Sequence, residues 1–360
     1  MDTKEMLFAA DSATCNYPAF LGQAADRLGA FHLPDPAAAI KNLDADAVRV
    51  RAYLGTYCPR TVVEFRTIGR ELLAHPAFRK SIRQDKPLRI LDLGSGAGGA
   101  WIGFLLACCD HGLEQHLEVV AIDGNEHALN VQNALLPDLA AGTGAQIGLA
   151  IVPARLRSDR AGFAADLASC LQGCMPSGSA GFDLVLVSKH FSEHYQAEGR
   201  AAYGVVADGL EILGGCLAPQ GALTMLDVTN PIEPTGQYMS FRLAQETVDY
   251  LSRRNARLHP VLPVPCALHA GRGCAASTGC FTQRRLDVHH VGKGLCDSTK
   301  ITYRVFCEYG FAQQMLHDID TEIAYSVNAA RPQESCQCGR KVSVLPSRNG
   351  FVFPQMRSAA

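Results

Sequence analysis

The sequence predicts an α/β protein built on a doubly wound parallel sheet, with a helical segment before it and a cysteine-rich segment after it. Three observations lead there. Short apolar runs, "LRILDLG", "LEVVAIDG", "FDLVLVS" and "GALTMLDV", alternate with helical stretches between residues 86 and 230, as strands buried on both faces of a parallel sheet do. The first run passes directly into a glycine turn and an apolar helix, "GSGAGGAWIGFLLA". Beyond residue 231, Cys266, Cys274 and Cys280 gather in "PCALHAGRGCAASTGC", a Gly- and Ala-rich stretch with neither helical nor strand period.

The elements follow in three zones. Residues 1–85 read as a helical segment, because "DADAVRVRAYLGTYCPRTVVEFRTIGRELLAHPAF" repeats apolar residues at intervals of three and four. Pro59 in that stretch is expected to start or break a helix. Residues 86–230 form the α/β domain. Residues 231–360 are looser, with Pro231, Pro234, Pro260, Pro263 and Pro265 ahead of the cysteine loop, and read as an appended metal-binding module.

Composition narrows the function classes. The N-terminus, "MDTKEMLFAADSATC", has no sustained apolar core and is neither a secretory signal nor an Arg-rich transit peptide. Apolar runs such as "WIGFLLACC" are far shorter than a membrane span requires. A cytoplasmic location and no membrane partner are expected. In that compartment the 14 cysteines point to core packing, catalysis or metal ligation rather than disulfides. A formal charge of −2 gives no global attraction to nucleic acid, and no DNA partner is expected. Between Phe241 and Arg304, however, 10 Lys or Arg stand against 4 Asp or Glu, a local basic excess that is either a solvated face or a contact for RNA phosphates.

The glycine turn carries the sharpest chemistry. Gly94, Gly96 and Gly98 let the backbone turn tightly and approach a ligand, and the helix that follows offers unpaired N–H groups. Asp92 precedes the turn, and the next strand ends in Asp123, where a carboxylate can accept hydrogen bonds from both hydroxyls of a ribose. An NAD-dependent enzyme would want the same acid. On these residues the chain resembles the class I S-adenosylmethionine-dependent methyltransferases, in which a strand ending "LDLGSGAG" is followed by a strand ending in an acid. That resemblance covers about residues 86–230. It implies a Rossmann-like, doubly wound, seven-stranded sheet with S-adenosylmethionine as cofactor. It also implies that Asp92, Gly94, Gly96, Gly98 and Asp123 bind it, the glycines beside its amino-acid end and Asp123 on its ribose.

Catalytic groups are expected at the end of the fourth strand, since ligands in open α/β sheets sit outside the carboxyl ends of strands. "FDLVLVSKHFSEHY" brings Ser188, Lys189, His190, Glu193 and His194 there, and His190 or Glu193 could serve as a base. The Asn-Pro-Pro-aromatic motif of many base aminomethyltransferases is absent from this place, and a merely solvated polar rim stays open as the other reading.

The cysteine loop continues into "FTQRRLDVHHVGKGLCDSTKITYRVF". With Pro265, Cys266, His269, Cys274, Cys280, Phe281, Gln283 and Arg284, it resembles the methyltransferase-like family of mitochondrial small-ribosomal-subunit assembly proteins and their bacterial relatives. "YLGTYCPRTVVEF" looks loosely like that family's entry segment. The resemblance implies an iron–sulfur cluster, of the 4Fe–4S type, held by Cys266, Cys274, Cys280 and a thiol of "ESCQCGRK", either Cys338 or Cys336. Thiolates are the usual ligands of such clusters. A zinc site on the same thiols stays open, although the spacings are too long for C-x-x-C knuckles. Function then divides between a methyltransferase acting on ribosomal RNA or the small ribosomal subunit, a non-catalytic assembly factor that binds the cofactor, and a small-molecule methyltransferase.

Overall fold

The computed structural model describes residues 12–34, 44–82, 85–113, 116–175, 181–229, 231–232, 237–263, 267, 284–291, 293–317, 346–347 and 350–351. Its larger strands are β1 (Ser12–Tyr17), β2 (Leu88–Leu93), β3 (His116–Asp123), β4 (Gln146–Pro153), β5 (Phe182–Ser188) and β6 (Leu217–Val228). After the two-residue strands β7 (Pro231–Ile232) and β8 (Gln237–Tyr238) come β9 (Leu258–Leu262), β10 (Arg284–His290) and β11 (Leu295–Glu308). The helices are α1 (Ala19–Arg27), α2 (Ala47–Ala74), α3 (Pro76–Ser81), α4 (Gly99–Asp110), α5 (Glu126–Thr143), α6 (Arg160–Cys174), α7 (Phe191–Glu198), α8 (Val205–Gly214), α9 (Met239–Leu251) and α10 (Tyr309–His317). None of the described helices is long and apolar enough to cross a membrane.

The four apolar runs become β2, β3, β5 and β6, and β5 begins and ends where its run does. Side-chain alternation divides them between two cores. Ile90, Leu184 and Leu186 face one, with Phe65 of α2 and Trp101 and Phe104 of α4. Leu91, Val185 and Val187 face the other, with Phe163 of α6 and Leu210 of α8. Both faces of the central strands are thus covered, which is why their sequences are apolar throughout. β4 has exposed and half-buried residues only, as an outer strand does.

The sheet order is β1-β10-β11-β6-β5-β2-β3-β4, with β9 paired to β11. β2 to β6 are mutually parallel, and β11 lies antiparallel against β6. Nine strands make the sheet instead of the expected seven, because β10 pairs with the first half of β11, β9 with its second half, and β1 adds in parallel to β10. The N-terminal segment therefore holds a strand as well as helices, and the sheet draws on residues before 86 and after 230. From β2 the chain moves outward to β3 and β4, then returns to lay β5 on the other side of β2. Between β2 and β5 the order reverses, and a crevice opens at the strands' carboxyl ends.

α2 closes that crevice from above. Asp46 caps it, accepting from the N–H of Val48 (3.1 Å) and Arg49 (2.8 Å). Pro59, expected to start or break a helix, does neither: α2 runs unbroken from Ala47 to Ala74 with Pro59 buried inside it. An interior proline costs about 3 kcal/mol. Val62, Phe65, Ile68 and Leu72 lie on the buried side of the same helix, and burying one such side chain contributes roughly 1.5–3 kcal/mol, so the packed face outweighs the proline. The fit is close: a Cβ on Gly103 of α4 would strike the Val62 carbonyl.

Candidate cofactor and catalytic site

The glycine turn follows β2 with Gly94, Gly96 and Gly98 all in the left-handed region (φ 66°, 50° and 83°), where a side chain would be strained. Hydrogen bonds fix its shape. Gly94 and Ser95 donate their N–H to the Ile122 carbonyl (2.9 and 3.1 Å), and Gly98 donates to Ser95 O (2.8 Å). From behind, the buried Gln132 amide of α5 donates to Gly96 O (2.7 Å) and Ser95 Oγ (2.8 Å) and accepts from Trp101 Nε1 (2.8 Å). Gln132 did not stand out in the sequence, since one amide in an amphipathic helix carries no motif.

Asp123 ends β3 next to this turn. Its Oδ2 accepts from Gly96 N and its Oδ1 from Asn125 N, each at 2.8 Å. Burial raises its carboxyl above the usual range, against the opposing pull of the N–H groups of Asn125, Gly96 and Gly124. Asn125 caps α5 through Ala128 N (3.1 Å) and ties that end of the site to Ala45 O (3.0 Å). Val50, Ile122, Ala128, Ala154 and Leu156 give the adjoining part of the cleft an apolar lining. The whole cleft holds about 890 Å³ and is also lined by Gly94, Gly96 and Asp123. Asp92 differs from the other expected cofactor residues: it is fully buried, it is not among the lining residues, and burial holds its carboxyl well above the usual range.

The five polar residues expected at the end of β5 and just beyond it all line the same cleft: Ser188, Lys189, His190, Glu193 and His194. Among the described residues Lys189 is the one non-glycine with positive φ (55°). Its backbone N–H donates to Leu226 O (2.7 Å), and its Nζ lies 2.8 Å from Glu64 Oε2 and 3.1 Å from Thr61 Oγ1. His194 Nδ1 donates to the Ser158 carbonyl (2.9 Å), so its Nε2 is free to accept from His190 Nε2 at 3.3 Å. Burial pushes His190 down to about 3, with the His194 ring adding to the effect, and both imidazoles are neutral at pH 7. Burial pushes Glu193 up to about 8, helped by the charges of Asp123 and Asp227, so of the two expected bases it is Glu193 that titrates near neutrality. Asp227, at the end of β6, accepts from Ser192 N (3.0 Å) and Val228 N (2.8 Å), and burial raises it to about 6.

The proposed metal ligands Cys266, Cys274, Cys280, Cys336 and Cys338 lie outside the described residues, and among the described residues no three His, Cys, Asp or Glu are arranged to hold a metal. The basic span is dispersed where it is described. Arg242 and Arg304 are buried, Arg253 pairs with Asp208 (2.8 Å) and Glu211, Arg257 with Glu308, and Lys293 with Asp26 (2.5 Å).

No family model matches the chain, and no curated protein matches it. Solved structures similar to it include a candidate O-methyltransferase from Klebsiella pneumoniae, 13% identical, covering 81% of this chain and 90% of that one with a TM-score of 0.35. An SAH-bound methyltransferase from Podospora anserina is 16% identical over 58% of this chain and 62% of that one, with a TM-score of 0.29. A candidate rRNA methylase from Clostridium thermocellum is 10% identical over 61% of this chain and 88% of that one, with a TM-score of 0.32. Likeness at these values carries no argument about activity.

The electrostatics of Glu193 has a measurable consequence. Its folded pKa of about 8 lies above its ordinary value of 4.5, so the folded state holds a proton that the unfolded state gives up, and stability falls as pH rises between those values. Glu246, raised to about 7, acts in the same direction at lower pH. Urea unfolding from pH 7 to 8.5 should therefore show declining stability in the parent and a flatter profile in Glu193→Gln. Superimposable profiles would mean that Glu193 titrates as an ordinary carboxyl.

Proposed function

We propose that the chain is an S-adenosylmethionine-dependent methyltransferase. The observation that carries this reading is the pairing of the Gly94–Gly98 turn with the Asp123 carboxylate at the sheet's switch point, beside an apolar slot. Asp123 would hold the ribose hydroxyls, the slot of Val50, Ala128, Ala154 and Leu156 the adenine, and Gly94 and Gly96 would let the amino-acid end pass against the backbone. When bound, the cofactor supplies a methyl group on a sulfonium, whose C–S bond breaks as an acceptor lone pair bonds to the carbon and the acceptor's proton leaves to a base. Glu193, once ionised, is the carboxylate that takes this proton. His190, pushed far below neutrality, is a poor base and serves to brace the floor through His194.

The alternative, a dinucleotide-dependent dehydrogenase, fits less well. A pyrophosphate needs backbone N–H groups to bind it. Here those of Gly94, Ser95, Gly96 and Gly98 are already spent within the protein. The carboxylates of Asp123 and, once ionised, Glu193 also line the cleft, which disfavours a pyrophosphate and favours a sulfonium.

Two finer parts of the reading rest on sequence alone. A ribosomal RNA or small-subunit partner and a cluster on Cys266, Cys274, Cys280 and Cys338 or Cys336 are supported by the order of motifs around the cysteine loop. If the thiols hold a cluster, protein purified without air should be brown, with iron and labile sulfide in similar amounts, and Cys274→Ser should lose most of both. Stoichiometric zinc without iron would replace the cluster by a zinc site, and metal-free protein of unchanged stability would remove the module.

The cofactor reading is tested by calorimetry with S-adenosylhomocysteine. Asp123→Ala removes charge-assisted hydrogen bonds worth roughly 1.5–3 kcal/mol each and should weaken binding at least about tenfold. Glu193→Gln should leave that affinity unchanged while turnover falls about a hundredfold or more, the usual contribution of a general base. Tighter binding of NAD than of S-adenosylhomocysteine by the parent protein would sink the methyltransferase reading.

A further inference from the structure

The charges lining the cleft are sorted by wall. Asp44 and Asp123 belong to the side of β3 and β4, where Asp44 also reaches Arg155 (3.0 Å). The cations Arg60, Lys189 and Lys300 all belong to the opposite corner, built by α2, the end of β5 and the first half of β11. Polar contacts knit that corner together. Lys189 Nζ is ion-paired with Glu64 Oε2 (2.8 Å) and donates to Thr61 Oγ1 (3.1 Å). Glu64 also accepts from the Thr299 hydroxyl, and Arg60 Nε donates to Asp297 Oδ2 (2.6 Å).

One cation of the corner is left unpaired. Its two carboxylates, Glu64 and Asp297, balance two of the three cations, and Lys300, which is exposed, has no ion-pair partner among the described residues. Asp227 does not line the cleft, and its carboxylate adds to the acids around Lys189, so the cation left without a counter-charge is Lys300. At about 890 Å³ the cleft is near the upper end of the roughly 300–1,000 Å³ range of ligand pockets, so a small molecule can lie beside a nucleoside. Glu193 lines the same cleft from α7.

Resting on the methyltransferase reading, we propose that the acceptor is a small organic acid whose carboxylate binds the corner of Lys189, Arg60 and Lys300, opposite the Asp123 wall. The ammonium groups of Lys189 and Lys300 supply the donors. The carboxylate neutralises Lys300 and turns the nucleophilic atom toward Glu193. A cationic amine in the same corner would instead meet the unpaired ammonium of Lys300.

The test uses the full-length protein and calorimetric titration with benzoate, 3-phenylpropanoate and indole-3-acetate, each beside its uncharged primary amide, with and without S-adenosylhomocysteine. At least one acid should bind at least about tenfold more tightly than its amide, the factor expected for one charge-assisted hydrogen bond. Lys300→Gln should erase most of that preference and Lys300→Glu should invert it, with S-adenosylhomocysteine affinity and the circular dichroism spectrum unchanged. Equal binding of acids and amides across the panel, or a preference that survives Lys300→Glu, would overturn the proposal. So would tighter binding of a short single-stranded RNA than of any acid, which would hand the corner to phosphates. Loss of S-adenosylhomocysteine binding in the parent, with acid preference intact, would instead overturn the methyltransferase reading and with it the acid's role as acceptor.

Discussion

Glu64 is fully buried and still ionically paired: its carboxylate lies 2.8 Å from the Lys189 ammonium and accepts the Thr299 hydroxyl. Removing one partner from such a pair typically costs about 3–5 kcal/mol, because the other charge is then stranded. Three elements meet on this carboxylate, namely α2, the end of β5 and β11, and none of them can slide without exposing that cost. The contacts above and below follow the two structural periods. Arg60 bonds Asp297, Glu64 bonds Thr299 and Tyr303 bonds Glu71 (2.7 Å), so the helix presents residues spaced by four and seven while the strand presents alternate ones. Tyr53 and Tyr57 are carried over the cleft by the same helix. Even the left-handed backbone at Lys189, a strain of about 1–3 kcal/mol for a non-glycine residue, is held from both ends, by Leu226 O and by Glu64.

What could be read in the sequence was what local physics dictates. "FDLVLVS" had to be a strand covered on both faces, and it is. The glycines had to occupy positions closed to other residues, and Gly94, Gly96 and Gly98 do, with Asp123 one strand away bonded directly to Gly96 N. The grouping of Lys189, His190 and Glu193 at one cleft was likewise legible, because residues that follow a buried parallel strand emerge where ligands bind.

The rest depends on partners distant in sequence. β4 escaped notice because "QIGLAIVP" is half-exposed and weakly patterned, as an outer strand is allowed to be. β1 lies in a segment dominated by helical periodicity, and its pairing partner is more than 260 residues away, since Ser12 stands opposite Arg285. Pro59 reads as a breaker by local rules, and only the surface of α4 beneath it explains why the helix continues. Lys189 looked like one polar residue among five. Its distinction comes from Glu64 on a helix and Thr299 on a strand, neither of which is marked by any motif.

The cleft's chemistry follows from how unevenly it is charged. Burial pushes up Asp123, Glu193 and Asp227, and Glu193, with no hydrogen-bond donor among the described residues to hold its charge, is pushed to about 8. Asp123 and Asp227 are raised less because backbone N–H groups stabilise their ionised forms. The cleft therefore contains one carboxylate, Asp123, whose charged form backbone N–H groups support and which can hold polar hydroxyls or a cation, and another, Glu193, whose charge is exchangeable. A cation arriving at the floor would favour the ionised form of Glu193. Binding of a sulfonium would thus itself prepare the base, so that proton acceptance is coupled to cofactor occupancy without any movement of the chain.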